Sequence, residues 1–205
     1  MNESATKAEA VSKRGPGPND MVQRILDAAY ECFGNKGIAA TSLRDIANAA
    51  EVSRPTVYRY FSGKIEVVET ISELESVKVK REVKRKLHRV ESFEDALTEA
   101  LVLIVRIAMK NMYVRRLLAD PEFAPRSLNP GGRYHEMQKV WWGSFLTNAL
   151  NRGDIADDLD VDDVVSWLTA GMRTLMLRMQ QTEESDLQFR RYARRFIVYP
   201  LIPRP

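Results

Sequence analysis

A chain of 205 residues with 44% hydrophobic content and a net charge of +3 can bury a sizeable core without staples, and its single cysteine, Cys32, excludes an internal disulfide. The longest apolar run, Leu101 to Val105, stops at Arg106, far short of the roughly 20 residues that span a bilayer. Residues 1–20 carry Glu3, Lys7, Glu9, Lys13 and Arg14 without an apolar stretch, unlike an export signal, so the expected setting is the reducing cytosol, away from membranes.

Residues 1–19 are polar, end in Gly-Pro repeats and show no period, which predicts a disordered arm. From Asp20, a capping pair with Gln23 precedes Val22, Ile25, Leu26, Ala29 and Phe33 at helical spacing. Leu43, Ile46, Ala47 and Ala50 mark a second short helix, and Arg54 to about Phe61 a third. A long fourth helix is predicted from Lys64 to Val90, with Val79, Val83, Leu87 and Val90 on one face.

Ser92 and Asp95 cap a fifth helix whose segment Ala96 to Met109 is apolar nearly all round, the pattern of a helix in the middle of a bundle. A short helix follows at Tyr113 to Ala119, then a Pro/Gly-rich connection from Pro121 to Gly132. Met137, Val140, Trp141, Phe145, Ala149 and Leu150 give another amphipathic helix, stopped at Gly153. Asp162 to Thr182 and Ser185 to Tyr199 complete the set, the last ended by Pro200. No stretch alternates as a strand would, so the fold class is all-α, with about nine helices.

Between the second and third helices, Ala50-Glu51-Val52-Ser53 has the length of the turn in a helix-turn-helix. Ser53 suits an N-cap, and Pro55 is tolerated in the first turn, where amide donors lack partners anyway. So short and polar a helix cannot persist alone, so Val57 and Phe61 must pack against the first two helices. Arg54, Thr56, Tyr58, Arg59 and Tyr60 then point outward, with guanidinium and hydroxyl groups suited to phosphates and base edges.

The string Thr41-Ser42-Leu43-Arg44-Asp45-Ile46-Ala47, followed by Val52 through Phe61 and by Lys64, resembles the TetR-type regulators over about residues 22–70. The resemblance implies a three-helix DNA-binding domain at residues 20–64 and a helical-bundle ligand-binding and dimerisation domain at residues 65–205. It also implies that Thr41, Thr56, Tyr58, Tyr60 and Lys64, with the N-cap Ser53, position the protein on the DNA backbone, while Arg54, Pro55 and Arg59 read bases. The turn departs from the family at Glu51, where glycine is usual; a left-handed Glu would cost roughly 1–2 kcal/mol.

In the C-terminal part, the family implies a small-molecule effector. Met109, Met112, Tyr113, Phe123, Trp141, Trp142 and Phe145, beside Tyr134, His135 and Gln138, are the candidate lining of an apolar cavity with a few orienting polar groups. Each of these is individually explained by ordinary core packing. The last two helices carry more apolar surface than one chain can cover, including Trp167 and Met176, and are expected to form a four-helix homodimer contact. A dimer would set two reading helices on half-sites about one DNA turn apart.

The functional expectation is a repressor released from its operator by an apolar or amphipathic effector that acts through the long fourth helix. A constitutive DNA-binding regulator and an all-helical enzyme are the alternatives. With only His88 and His135, one cysteine and no phosphate loop, no catalytic, cofactor-binding or metal-binding set is evident. The basic run from Lys78 to Arg89 reads as the solvated face of its helix. The six Asp of residues 154–163 lack the glycine and closing glutamate of a calcium loop; Asp160 as N-cap with Asp162 and Asp163 in the first turn explains them.

Overall fold

A computed structural model describes residues 18–87 and 92–203, all helix and connection with no strand among them. The chain divides into two compact units that part between Val67 and Val68. The expected N-terminal arm lies outside the described residues except for Pro18 and Asn19, which already belong to the first helix.

The N-terminal unit holds α1 (Pro18–Lys36), α2 (Leu43–Ala49), α3 (Arg54–Tyr60) and the start of α4 (Lys64–Lys86). Its core is the predicted one: Ile25, Leu26, Ala29 and Phe33 of α1 meet Ile46 and Ala47 of α2, with Val57 and Phe61 beneath α3. Each large side chain so buried contributes roughly 1.5–3 kcal/mol, which is what holds helices too short to persist alone. Gly37, at φ +84, ends α1 and gives its N–H to the Phe33 carbonyl. Ser42 and Asp45 cap α2 reciprocally.

The C-terminal unit contains the rest of α4, α5 (Phe93–Lys110), α6 (Met112–Ala119), α7 (Phe123–Arg126), α8 (Arg133–Arg152), α9 (Val161–Gln181) and α10 (Asp186–Ala193). As its uniformly apolar sequence demands, α5 is central and packs against α6, α9 and α10, burying among others Leu97, Leu101, Val102 and Val105. α8 and α9 pair closely. Capping boxes at Asp160–Asp163 and Ser185–Gln188 start α9 and α10, and Gly153 at φ +73 stops α8.

Four sequence expectations are adjusted. The connection from Pro121 contains the one-turn helix α7, bringing the described α-helices to ten. α4 ends at Lys86; Leu87 is exposed rather than core, and Val90 lies outside the described residues. Val140 is 86% exposed, whereas Leu146, which the periodic pattern passed over, is fully buried. The last helix loosens after Ala193 into a π turn at Arg194–Val198 and a 3-10 turn at Tyr199–Leu201, because Pro200 brings no N–H to the ladder. There the indole N–H of Trp167 donates to the Ile197 carbonyl at 2.8 Å. Among the described residues no helix is long and apolar enough to cross a membrane.

Candidate nucleic-acid interface and enclosed cavity

In the N-terminal unit, α3 is a short helix fixed at both ends and from below. Ser53 accepts the Thr56 N–H at 3.2 Å and shares a 2.8 Å hydroxyl contact with Thr56 Oγ1. Val57 is fully buried and Phe61 nearly so. Ser53, Arg54, Pro55, Tyr58 and Arg59 are exposed, with Thr56 and Tyr60 partly so. Arg59 lies over the Tyr60 ring at 5.0 Å and donates to its hydroxyl at 3.3 Å. α3 contains no acidic residue, so its outer face offers guanidinium and hydroxyl donors alone, the complement of a phosphate-lined groove.

Two expected DNA-facing residues are placed differently. Thr41 is buried, and its hydroxyl donates to the Gly37 carbonyl at 2.7 Å, organising the loop before α2. Lys64 directs its ammonium at the carbonyls of Ile38 and Ala39, 3.3 and 3.5 Å away, tying the start of α4 to that loop. Glu51 does take the left-handed conformation, at φ +52. Its carboxylate turns to Arg24 of α1, 2.9 Å away. Lys36 and Asp45 join α1 to α2 at 2.8 Å, and this partner, followed by the Ser42 hydrogen bonds, holds the Asp45 carboxyl well below the usual carboxylate range.

The C-terminal unit holds a partly open cavity between α4, α5, α6, α7, α8 and α9, with about 70 Å³ open to the centre of a water molecule. Of the expected lining, Phe123, Tyr134, Gln138 and Trp141 reach it. The others do not. Trp142 is buried in the core against Trp141 and Phe145, its indole N–H without a partner among the described residues. Phe145 stacks on Phe93 at 5.4 Å. Met109 faces a separate depression beside Arg106 and Met179, Met112 is exposed, and Tyr113 is half-buried elsewhere on α6. His135 is buried, accepting the Gly131 N–H at Nδ1 and meeting Ser166 at Nε2, each at 3.2 Å; it joins the start of α8 to α9.

The cavity's polar side chains were largely missed. Ser72, Ser76 and Lys80 enter from α4, and Thr169 and Arg173 from α9. Lys80, within the basic run expected to face solvent, sits four residues beyond Ser76 and eight beyond Ser72, on the stripe that also carries Val79. That i, i+4, i+8 spacing of small hydroxyls and a cation beside buried valines was the available signal. Burial lowers the Lys80 pKa to about 8. Although Tyr134 as a residue is only part-buried, its hydroxyl end is enclosed: burial pushes the phenol up, against hydrogen bonds from Gln138 and Ser76.

Residues 25–71 match the family model described as bacterial regulatory proteins, tetR family. Over 49 residues, 24% of the chain, the sequence is 45% identical to the HTH-type transcriptional regulator SrpR of Pseudomonas putida, and over 69 residues, 34% of the chain, 39% identical to AcrR of Shigella flexneri. These stretches span only about a quarter of each relative's own length, 23% and 28%. A solved structure of SmeT, the repressor of the Stenotrophomonas maltophilia efflux pump SmeDEF, superposes with a TM-score of 0.57 over 88% of this chain and 90% of that one, at 21% identity. Residues 25–71 thus match the helix-turn-helix module of the TetR-type regulators, and α3, held by Val57 and Phe61, lies within that module, which precedes an all-α bundle.

Proposed function

We propose that the protein is a DNA-binding transcriptional regulator, a homodimeric repressor that leaves its operator when a small molecule occupies the C-terminal cavity. The observation that carries this reading is the outer face of α3. A seven-residue helix anchored by Val57 and Phe61 presents Arg54, Thr56, Tyr58, Arg59 and Tyr60 without an opposing carboxylate. Arg54, Pro55 and Arg59 form the base-reading set; Ser53, Thr56, Tyr58 and Tyr60 set the helix on phosphates. Thr41 and Lys64 contribute by fixing the loop that supports it.

Dimerisation is supported by what the last two helices leave uncovered. Trp167, Ala170, Thr174 and Leu177 form an exposed stripe along α9, and Phe196 and Tyr199 are exposed just beyond α10. The inner face of the same helices, including Leu168, Met172, Leu175 and Phe189, is already buried within one chain. A second copy is the economical cover for the remainder. α4 runs unbroken from Lys64 to Lys86 and supplies Ser72, Ser76, Val79 and Lys80 to the cavity, so occupancy has a continuous element on which to act.

Selection of bound duplexes from a random pool by the full chain tests the reading. A palindromic site with half-sites about one helical turn apart is expected. Binding without any sequence preference, or to no duplex at all, would remove it.

A further inference from the structure

We propose that the cavity is built for a small monocarboxylate, an acid of about one six-membered ring, whose carboxylate pairs with Lys80 while its apolar body rests against Trp141 and Phe123. That this ligand is the effector rests on the function proposed above; that the cavity binds it does not.

Charge carries the inference. Two cations, Lys80 and Arg173, face a space in whose lining there is no Asp or Glu, and neither has an ion-pair partner among the described residues. The Lys80 ammonium has only the Met137 carbonyl, at 3.4 Å, and the face of Trp141, 5.2 Å from its centroid. Lys80 is part-buried; an ammonium has three donors to place, and even partial burial without a counter-charge is unfavourable, in the direction of its lowered pKa of about 8. Arg173 is likewise met only by neutral oxygens, the Ala124 carbonyl and, at 3.3 Å, the Ser127 hydroxyl. The protein therefore supplies two positive charges and leaves the negative one to come from outside. Tyr134 and Gln138, on the same wall, offer hydrogen bonds to a second carboxylate oxygen or a ring hydroxyl.

Size sets the rest. About 70 Å³ of room for water centres corresponds to on the order of five waters, or roughly 150 Å³ of liquid volume. That fits a ring with one substituent and is too little for a long acyl chain. The remainder of the wall, including Ile104, Val114, Leu117 and Met172, is apolar and suits the body of such an acid.

The test uses the full chain and calorimetry, supported by tryptophan fluorescence, with benzoate, phenylacetate, cyclohexanecarboxylate and hexanoate set against benzamide, benzyl alcohol and benzylamine. At least one carboxylate should bind at least tenfold more tightly than its neutral and cationic counterparts. Lys80→Met should weaken that acid about ten- to a hundredfold while leaving benzamide unaffected, and Lys80→Arg should restore most of the loss. Should Lys80→Met fail to fold, the unaltered protein still decides the matter, since acid binding should weaken as pH rises through 8 to 9. Arg173 and Tyr134 are the other titratable groups lining the cavity; the guanidinium stays charged across that range and the phenol is pushed above its ordinary value. No acid bound more tightly than the neutral and cationic compounds, or no binding by any of the acids, would overturn the proposal. Operator binding is measured separately: acid binding by a protein that selects no DNA refutes the regulatory reading and leaves the cavity assignment standing, and the converse result does the reverse.

Discussion

Glu51 Oε2 lies 2.9 Å from Arg24 Nη2, so the one described non-glycine residue with positive φ is tethered to α1 by its own side chain. The tether directs a carboxylate that could repel phosphate into an ion pair instead. Both partners are largely exposed, and such pairs contribute at most about 1 kcal/mol, whereas a left-handed non-glycine residue costs about 1–2 kcal/mol. Glu51→Gly should therefore leave the N-terminal unit as stable or up to about 1 kcal/mol more so, while Glu51→Ala, which keeps the strain and loses the pair, should be destabilising. Chemical denaturation of both variants checks the order; Ala above Gly would refute it.

Arg54 is exposed at the first position of α3. If it meets a guanine edge, Arg54→Ala costs about 1–3 kcal/mol of operator affinity and relaxes one position of the site. If the exposed Tyr58 hydroxyl meets a phosphate as proposed, Tyr58→Phe should weaken all sequences alike. Parallel site selections distinguish the two; an unchanged preference in Arg54→Ala would reassign the reader.

A Cβ on Gly171 would stand 2.6 Å from Ile197 Cγ2, closer than atoms of a packed core tolerate. Gly171→Ala should cost about 1–3 kcal/mol, against the usual gain from replacing a helical glycine. Adding Ile197→Ala should recover part of the loss, a coupling that thermal unfolding of the two single variants and the double variant would expose.

Lys36 and the Ser42 hydrogen bonds depress the Asp45 carboxyl. A depressed carboxyl adds stability that is present above its unfolded value, near 4, and is lost as pH falls toward its folded one. The N-terminal unit should lose stability below about pH 4, and Asp45→Asn should be less stable at neutral pH with a flatter acid limb. Denaturation midpoints between pH 2 and 7 provide the measurement, and parallel curves for the two proteins would contradict it.

Phe196 is 55% exposed beside Tyr199 and in the same unit as Trp167. A charge there, Phe196→Asp, should dissociate the dimer without unfolding the chain, since the side chain is not needed for the monomer core. Sedimentation at micromolar concentration should show a dimer for the unaltered protein and a monomer for the variant. A monomer in both cases would discard the interface.

Most helices were readable because they present one apolar stripe, and α5 because it is apolar nearly all round; the roles of Val57 and Phe61 followed from their one-turn spacing. Thr41 and Lys64 were harder, because a hydroxyl or ammonium that serves a loop carbonyl has the same sequence appearance as one that serves a phosphate. The cavity was half legible. Phe123, Tyr134, Gln138 and Trp141 reach it, but Trp142, next to Trp141 in sequence, falls on the core side because adjacent helical positions differ by about 100°, and Phe145, one turn beyond Trp141, stacks on Phe93 instead. Lys80 and Arg173 were invisible to a rule that assigns charges to water, since their placement depends on partners distant in sequence, Met137 and Trp141 for one and Ala124 and Ser127 for the other, that no local pattern contains.

The two cavity cations differ in one respect that governs what the site can refuse. A lysine whose pKa burial lowers to about 8 gives up its proton at modest cost near neutral pH, so Lys80 alone is a weak barrier to an intruding amine. Arg173 has no such escape, because its guanidinium does not deprotonate in proteins. Preference for an acid thus comes from one residue, and exclusion of bases from the other, 93 positions further along the chain.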